Sequence, residues 1–340
     1  MSIHANDGSN PTIRSRTTTP SKSKSIFNSK PRSHNTLQFT SDIADYELLH
    51  DVGGVDDISY LYMARYIPTR ELVALKYTDL TLSPDFELID ELVRTAYNTA
   101  LCKHPNILPY YLSFVEHERL WTVTAPMKLG SCRGLMKKTF PDGFTEVVAA
   151  TILREVLKAV VYLHENYFIH NDIRADNILM TENGDVKLTG FRSMVSRAKD
   201  GGHVKTVFSL VGDNIEWAAP EVMAQNANYT EKADIYCLGI TGLELAFNTT
   251  PFTDWPPLKV LLAKMEYDVP ATILSSKPMS RHFYDLVYQC TQRDPCLRPS
   301  ASSLLEHPFF KLGKTMHYLE NHVVKKALVL KSPTSPNLPL

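Results

Sequence analysis

The sequence predicts an α+β protein of two lobes, a strand-rich N-terminal lobe followed by a larger helical one. Three observations carry that prediction. Short β-branched and aromatic runs separated by Gly, Pro-Thr or acidic breaks are concentrated in the first third of the folded body. Beyond Gly130 the apolar residues recur at three- and four-residue steps instead. One isolated hairpin signal, Asn183-Gly184, interrupts the helical part.

Taken in order, the predicted strands are Tyr46–His50, Leu61–Tyr66, Leu72–Tyr77 and Leu120–Thr124. A helix over 86–102 stands among them and stops at Lys103-His104-Pro105, because a proline disfavours helix in the residue before it. Over Thr145–Asn166, Val148, Ile152, Val156, Ala159, Val160 and Leu163 share one helical face. Ile178–Met180 and Val186–Leu188 form the hairpin, and only helices and loops are expected after it. The lobes divide near 126: an N-lobe of about 43–126, a C-lobe of about 127–310, then an extension over 311–340.

The composition bounds the function. The 340 residues are 44% hydrophobic and carry a formal net charge of -1, enough to bury a large core and without the basic excess that nucleic acid or a membrane surface would favour. Five cysteines, Cys102, Cys132, Cys237, Cys290 and Cys296, make no C-x-x-C pair, so neither zinc nor a disulfide framework is expected. No apolar run approaches membrane-spanning length, and the expected location is the cytoplasm with nuclear shuttling. Residues 1–42 are Ser/Thr/Asn/Pro-rich with scattered Arg and Lys and read as a disordered basic tail. The last ten residues repeat that pattern, with Ser-Pro steps at Ser332 and Ser335.

A set of blocks then appears in a fixed order. Val73-Ala74-Leu75-Lys76, His170-Asn171-Asp172 with Asn177, and Ala219-Pro220-Glu221 resemble the V-A-I-K, H-R-D-x-x-x-x-N and A-P-E blocks of protein kinases. Asp234-Ile235-Tyr236 with Gly239, and Arg298-Pro299, resemble further blocks of the same family, and the resemblance runs over residues 46–310. It implies a two-lobed protein-kinase fold. It also implies a nucleotide site at Gly54, Lys76, Thr124, Ala125, Met127 and Asn177, and structural roles for Asp234 and for a buried Glu221–Arg298 ion pair.

The departures from that pattern are chemical. Protein kinases hold magnesium with the D-F-G aspartate and the catalytic-loop asparagine. Here the D-F-G position reads Gly190-Phe191-Arg192, which offers no carboxylate and sets a cation where the metal would sit. Alignment on Ala64 leaves Gly54 in place but puts Asp56 and Ser59 at the second and third loop glycines, so Asp56 and Asp57 would oppose polyphosphate. The helix glutamate that should pair with Lys76 falls at Thr95, with Glu91 one turn earlier as a substitute. Asn171 replaces the arginine that reads activation-loop phosphate. Phosphoryl transfer is mostly positioning and electrostatic stabilisation, so these losses together predict no functional catalytic residues, with Asp172, Asn171 and Gly190 degenerate. Lys76, Asp172 and Asn177 are consistent with retained architecture, with ATP binding without magnesium, or with residual transfer.

Gly190-Phe191-Arg192-Ser193, Leu120–Thr124, Ala64-Arg65-Tyr66 with Pro68-Thr69, Pro299–Ser302 and His307–Phe310 look like the STRAD (Ste-related adaptor) pseudokinases. That resemblance implies an inactive adaptor that binds and allosterically activates a liver kinase B-type Ser/Thr kinase and draws it into the cytoplasm. It also implies a Mo-twenty-five-family helical-repeat scaffold as a further partner. Nucleic acid and membrane are not expected as partners. Vertebrate members end in Trp-Glu-Phe whereas this chain ends Asn337-Leu338-Pro339-Leu340, so the 86–102 region is the expected scaffold contact. Glu91, Thr95, Arg192 and Trp217 are the candidate partner-binding residues, Trp217 reading also as an anchor for the segment it ends, and 193–217 is the expected partner-facing segment. The alternative reading is a weakly active atypical Ste-group Ser/Thr kinase.

Overall fold

The computed structural model describes residues 39–56, 58–82, 86–197, 214–224, 229–266 and 277–331. Residues 1–38 of the expected tail, Asp57, the side chain of Asp56, residues 198–213 of the partner-facing segment and the two Ser-Pro steps lie outside that set.

The N-terminal lobe is a five-stranded antiparallel sheet in the order β1-β2-β3-β5-β4. Its strands are β1 (Tyr46–Asp56), β2 (Ser59–Tyr66), β3 (Glu71–Asp79), β4 (Tyr110–Glu116) and β5 (Arg119–Thr124). Helix α1 (Phe86–Leu101) joins β3 to β4. Alternation sends Ala64, Tyr66, Val73, Leu75, Trp121 and Val123 to one face, where they meet Tyr46 and Phe114 in a small core. The opposite face carries Leu61, Lys76 and Thr122 side by side in register.

The C-terminal lobe begins with α2 (Cys132–Thr139) and α3 (Glu146–Glu165). The α3 stripe predicted from Val148 to Leu163 is buried. Strands β6 (Phe168–Ile169), β7 (Ile178–Met180), β8 (Val186–Leu188) and β9 (Val195–Ser196) follow. Next come α4 (Pro220–Met223), α5 (Lys232–Phe247), α6 (Pro257–Glu266), α7 (Arg281–Cys290) and α8 (Ala301–Leu305). Every residue of α5 from Ala233 to Phe247 is buried, as expected of a helix apolar on all sides at the centre of a lobe.

Helix α9 (Met316–Leu319), a π turn (Glu320–Val324) and α10 (Lys325–Lys331) are the last elements of the described residues. Leu319, Val323, Val324 and Ala327 bury into the same core as α3. The Asn183-Gly184 hairpin tip touches this end: a Cβ on Gly184 would lie 2.6 Å from the Met316 carbonyl oxygen.

Two features depart from the sequence reading. Tyr110–Glu116 is a strand where none was expected: its run Tyr-Tyr-Leu-Ser-Phe-Val-Glu alternates only weakly, and its pairing with β5 at the sheet edge cannot be read from its own residues. After the hairpin, Val195–Ser196 pairs with Phe168–Ile169, so a strand pair stands where only helices and loops were expected.

Candidate functional site

The cleft between the lobes is built on the β3–β5 face. Ala74 sits opposite Met63 and Thr124, and Lys76 opposite Leu61 and Thr122, which turns the half-buried Lys76 chain to the cleft side of the sheet. The connection between lobes is fixed by the Ala125 amide donating to the Pro109 carbonyl at 3.1 Å and the Gly130 amide to the Met127 carbonyl at 2.9 Å. Gly54 pairs with Tyr60 near the end of the β1–β2 ladder and is exposed.

Below the cleft, the loop carrying His170, Asn171 and Asp172 is anchored from α5. The fully buried Asp234 carboxylate accepts the His170 amide at 2.9 Å, the Asn171 amide at 2.8 Å and the His164 ring at 2.8 Å. Burial opposes its charge, yet the hydrogen bond and charge of His164 hold the carboxyl below its ordinary pKa. His170 packs edge-on against Phe191 at 5.1 Å and its Nε2 meets the Thr189 carbonyl at 2.9 Å. Burial pushes the His170 pKa down, which favours a neutral ring donating to that carbonyl.

Asn171 adopts φ +63° and its amide nitrogen donates to the Ser193 carbonyl at 3.1 Å and the Tyr229 hydroxyl at 2.8 Å. Where the family's arginine would read a phosphate, Asn171 ties Ser193, at the start of the 193–217 segment, to Tyr229 just before α5.

Asp172 and Asn177 lie together. The Asn177 Nδ2 donates to the Asp172 carbonyl at 2.8 Å and to its Oδ2 at 2.7 Å, while Oδ1 faces the Arg174 Nε at 3.4 Å. Burial raises the Asp172 pKa, with Arg174, His170 and Asn177 pulling it back. Gly190 completes the group at φ +87°, and a Cβ there would stand 2.3 Å from the Asn177 Cγ. The space a D-F-G carboxylate would need is thus occupied by the amide of Asn177. Of the two side-chain ligands the family uses for magnesium, the D-F-G carboxylate is missing, and what is left is the Oδ1 of an asparagine whose Nδ2 donates to Asp172.

Three sequence expectations are corrected. Glu91 does not stand in for the Lys76 partner, because its carboxylate takes Arg192 Nε at 2.6 Å. Arg192 for the same reason does not occupy the metal position; it reaches outward to α1 and is half exposed. Trp217 is not presented to a partner, being buried with its indole N–H donating to Glu244 at 2.9 Å. Thr95 is half-buried on α1, its hydroxyl donating to the Glu91 carbonyl.

Glu244 is the residue the sequence reading missed. Its buried Oε2 accepts both Trp217 and the Ala175 amide of the catalytic loop, each at 2.9 Å, with Arg133 at 3.9 Å from Oε1. Burial pushes its pKa up to about 7. A lone Glu in an apolar helix pattern was its only signal. Glu221 and Arg298 form a two-bond pair at 2.6 and 2.8 Å, with the Arg298 side chain fully buried.

A family model described as Protein kinase domain matches residues 51–310. Serine/threonine-protein kinase fray2 of Dictyostelium discoideum is 38% identical over 298 residues, covering 87% of this chain and 28% of that protein. STE20-related kinase adapter protein alpha of Gallus gallus is 34% identical over 320 residues, 80% of this chain and 82% of that protein. Germinal center kinase 3 of Caenorhabditis elegans is 36% identical over 290 residues, covering 80% of this chain and 48% of that protein. The chain therefore spans most of the adapter's length but half or less of the two relatives named as kinases. Among the described residues no helix is long and apolar enough to cross a membrane.

Proposed function

This chain belongs to the protein kinase family, and we propose that within it the chain acts as a catalytically inactive adaptor that activates a partner Ser/Thr kinase allosterically. The observation that carries the reading is the Gly190–Asn177 contact: the metal-ligand carboxylate is absent and its space is filled. A kinase domain so arranged keeps the cleft and the C-lobe anchors while lacking the electrostatic part that phosphoryl transfer depends on. The likeness to STE20-related kinase adapter protein alpha, along most of both chains, supports the adaptor role.

The finer reading follows the resemblance to the STRAD pseudokinases. The partner is a liver kinase B-type kinase, held in the cytoplasm by the complex, and the scaffold is of the Mo-twenty-five family, seated on the α1 side of the N-lobe. ATP binds against Gly54, Lys76, Thr124, Ala125, Met127 and Asn177 without magnesium.

A second reading, weak Ser/Thr kinase activity, is favoured by the Asp172–Asn177 pair and by the relatives named as kinases. Phosphate transfer to a generic basic peptide at millimolar ATP and Mg²⁺ separates the two. We expect no transfer above background for the parent chain. Turnover that vanishes in Asp172→Asn would establish the enzyme reading instead.

A further inference from the structure

The outer face of the N-lobe sheet, opposite the face that carries Lys76, ends in an open row of tyrosines. Tyr60 and Tyr62 on β2 both stack on Tyr77 of β3, with ring centroids 5.2 and 6.0 Å away and interplanar angles of 25° and 16°. Tyr60 is 37% exposed, and Leu48, opposite Ala64 on the same face, is 46% exposed. This shelf already takes a cation, since the Arg119 guanidinium lies over the Tyr77 ring at 4.7 Å. A carboxylate stands at its edge: Asp51 is opposite Tyr62 in the β1–β2 register and is exposed.

The other end of this face is covered by the chain itself. Phe39 packs 5.0 Å from the Tyr66 ring and 4.7 Å from the Tyr111 ring. The Tyr46 hydroxyl donates to the Thr40 carbonyl at 2.7 Å, and the Ile43 amide donates to the Glu116 carboxylate at 2.9 Å. Phe39, Ile43 and Tyr77 all pack against one core, the one built on Tyr66, Leu75 and Trp121. The segment that enters β1 therefore lies on the same sheet face as the shelf.

Arg32, seven positions before Phe39, ends a Lys30-Pro31-Arg32 run that lies outside the described residues. Its reach decides what it can meet. At about 3.3 Å per extended residue, Arg32 reaches about 23 Å from Phe39 and Lys30 about 30 Å, against about 13 Å from Tyr66 to Tyr62 and about 20 Å from Tyr66 to Tyr60 along β2. Both cations can arrive at the shelf with chain to spare.

We propose that the Tyr60, Tyr62 and Tyr77 shelf is a docking site for the Lys30-Pro31-Arg32 run of this chain, which lays its two cations and its prolyl ring on the tyrosine faces. The chemistry is matched on each count. Aromatic surfaces attract cations over their rings, the Asp51 carboxylate adds the opposite charge at the edge, and a proline has little backbone freedom left to lose on docking. Individually weak contacts are enough here, because a short tether to Phe39 holds the run at an effective concentration on the order of millimolar. The docked run lies on the far side of the sheet from the cleft, so the inference stands apart from the adaptor reading.

Hydroxyl-radical footprinting of the full chain, read by peptide mass spectrometry, tests this. It compares Tyr60 and Tyr62 with Tyr288 on α7, which is 65% exposed and remote from the sheet. Lys30→Glu with Arg32→Glu should raise Tyr60 oxidation by about threefold, the change expected if the run is docked in about two-thirds of molecules, and leave Tyr288 as it was. Salt at about 0.5 M should do the same to the parent chain. In the reverse direction, Tyr60→Ser with Tyr62→Ser should speed tryptic cleavage after Arg32 by a similar factor. Tyr60 oxidation that charge reversal in the run leaves unchanged overturns the proposal. Protection that grows with protein concentration and survives charge reversal assigns the shelf to a second copy and overturns it equally. Should the tyrosine variant fail to fold, the Lys30→Glu, Arg32→Glu footprint decides alone.

Discussion

Returning the missing carboxylate should damage this protein. In Gly190→Asp the new Cβ would fall 2.3 Å from Asn177 Cγ and 2.4 Å from its Nδ2, so the asparagine must turn away. That breaks its bonds to the Asp172 carbonyl and carboxylate, a charged hydrogen bond worth about 1.5–3 kcal/mol. The backbone at φ +87° adds roughly 1–2 kcal/mol for any residue with a Cβ. The expected loss is therefore about 2.5–5 kcal/mol, or a fall in melting temperature of at least about 5 °C for a domain of this size. Gly190→Ala carries the same Cβ without the charge and should account for most of the loss. Thermal melts of the three proteins, beside a transfer assay with Mg²⁺, make the comparison. If Gly190→Asp melts with the parent, or acquires magnesium-dependent turnover, the space is not closed as argued and Gly190 is a simple lost ligand.

Two further outcomes follow from the same geometry. ATP at a hundred times its dissociation constant should raise stability by roughly 2.7 kcal/mol with or without Mg²⁺, and Lys76→Met should abolish the shift; a shift that needs Mg²⁺ would show a metal site that Asn177 and Gly190 do not provide. Arg298→Ala removes both bonds to Glu221 and three more to the carbonyls of Gln292, Lys232 and Arg293, and should cost about 3–5 kcal/mol by stranding a largely buried carboxylate. A chemical-denaturation loss below about 1 kcal/mol would mean that Glu221 finds water or another partner.

What could be read in the sequence was what local order encodes. The α3 stripe, the Asn183-Gly184 hairpin and the end of α1 before Pro105 each declare themselves within a few residues. Gly190 was legible because a single position in an ordered set of blocks had changed. Partnerships across the chain were not. Glu91 and Arg192 are 101 positions apart, and nothing in either neighbourhood says that they meet. The rotamer that takes Arg192 outward, away from the metal position, follows from where α1 lies against the 191–193 turn. Trp217, just before Ala218-Ala219, read both as an anchor for its segment and as a candidate partner contact, and Glu244, 27 positions on, is what draws it inward as an anchor. Lys264 sits in a pattern that would suit any amphipathic helix, and only the carbonyls of another segment show that it points inside.

The surviving anchors also locate where a nucleotide could act. Asp234 on the catalytic loop, Glu244 between that loop and Trp217, and Glu221 with Arg298 are all C-lobe contacts closed without any phosphate. Each is buried, and breaking a buried pair costs several kcal/mol, so the C-lobe has little left for a nucleotide to order. The N-lobe is held differently. Among the described residues an ion pair, Glu91–Arg192, joins α1 to the turn just before the partner-facing segment; its arginine is half exposed, and pairs of that kind contribute about 0–1 kcal/mol. Allosteric coupling of a useful size is about 1–3 kcal/mol, more than this pair supplies alone. Nucleotide dependence of partner activation would then have to come from contacts made by β1, β3 and the lobe connection closing on the ligand. It follows that Arg192→Ala should weaken activation modestly at saturating ATP and more strongly without it.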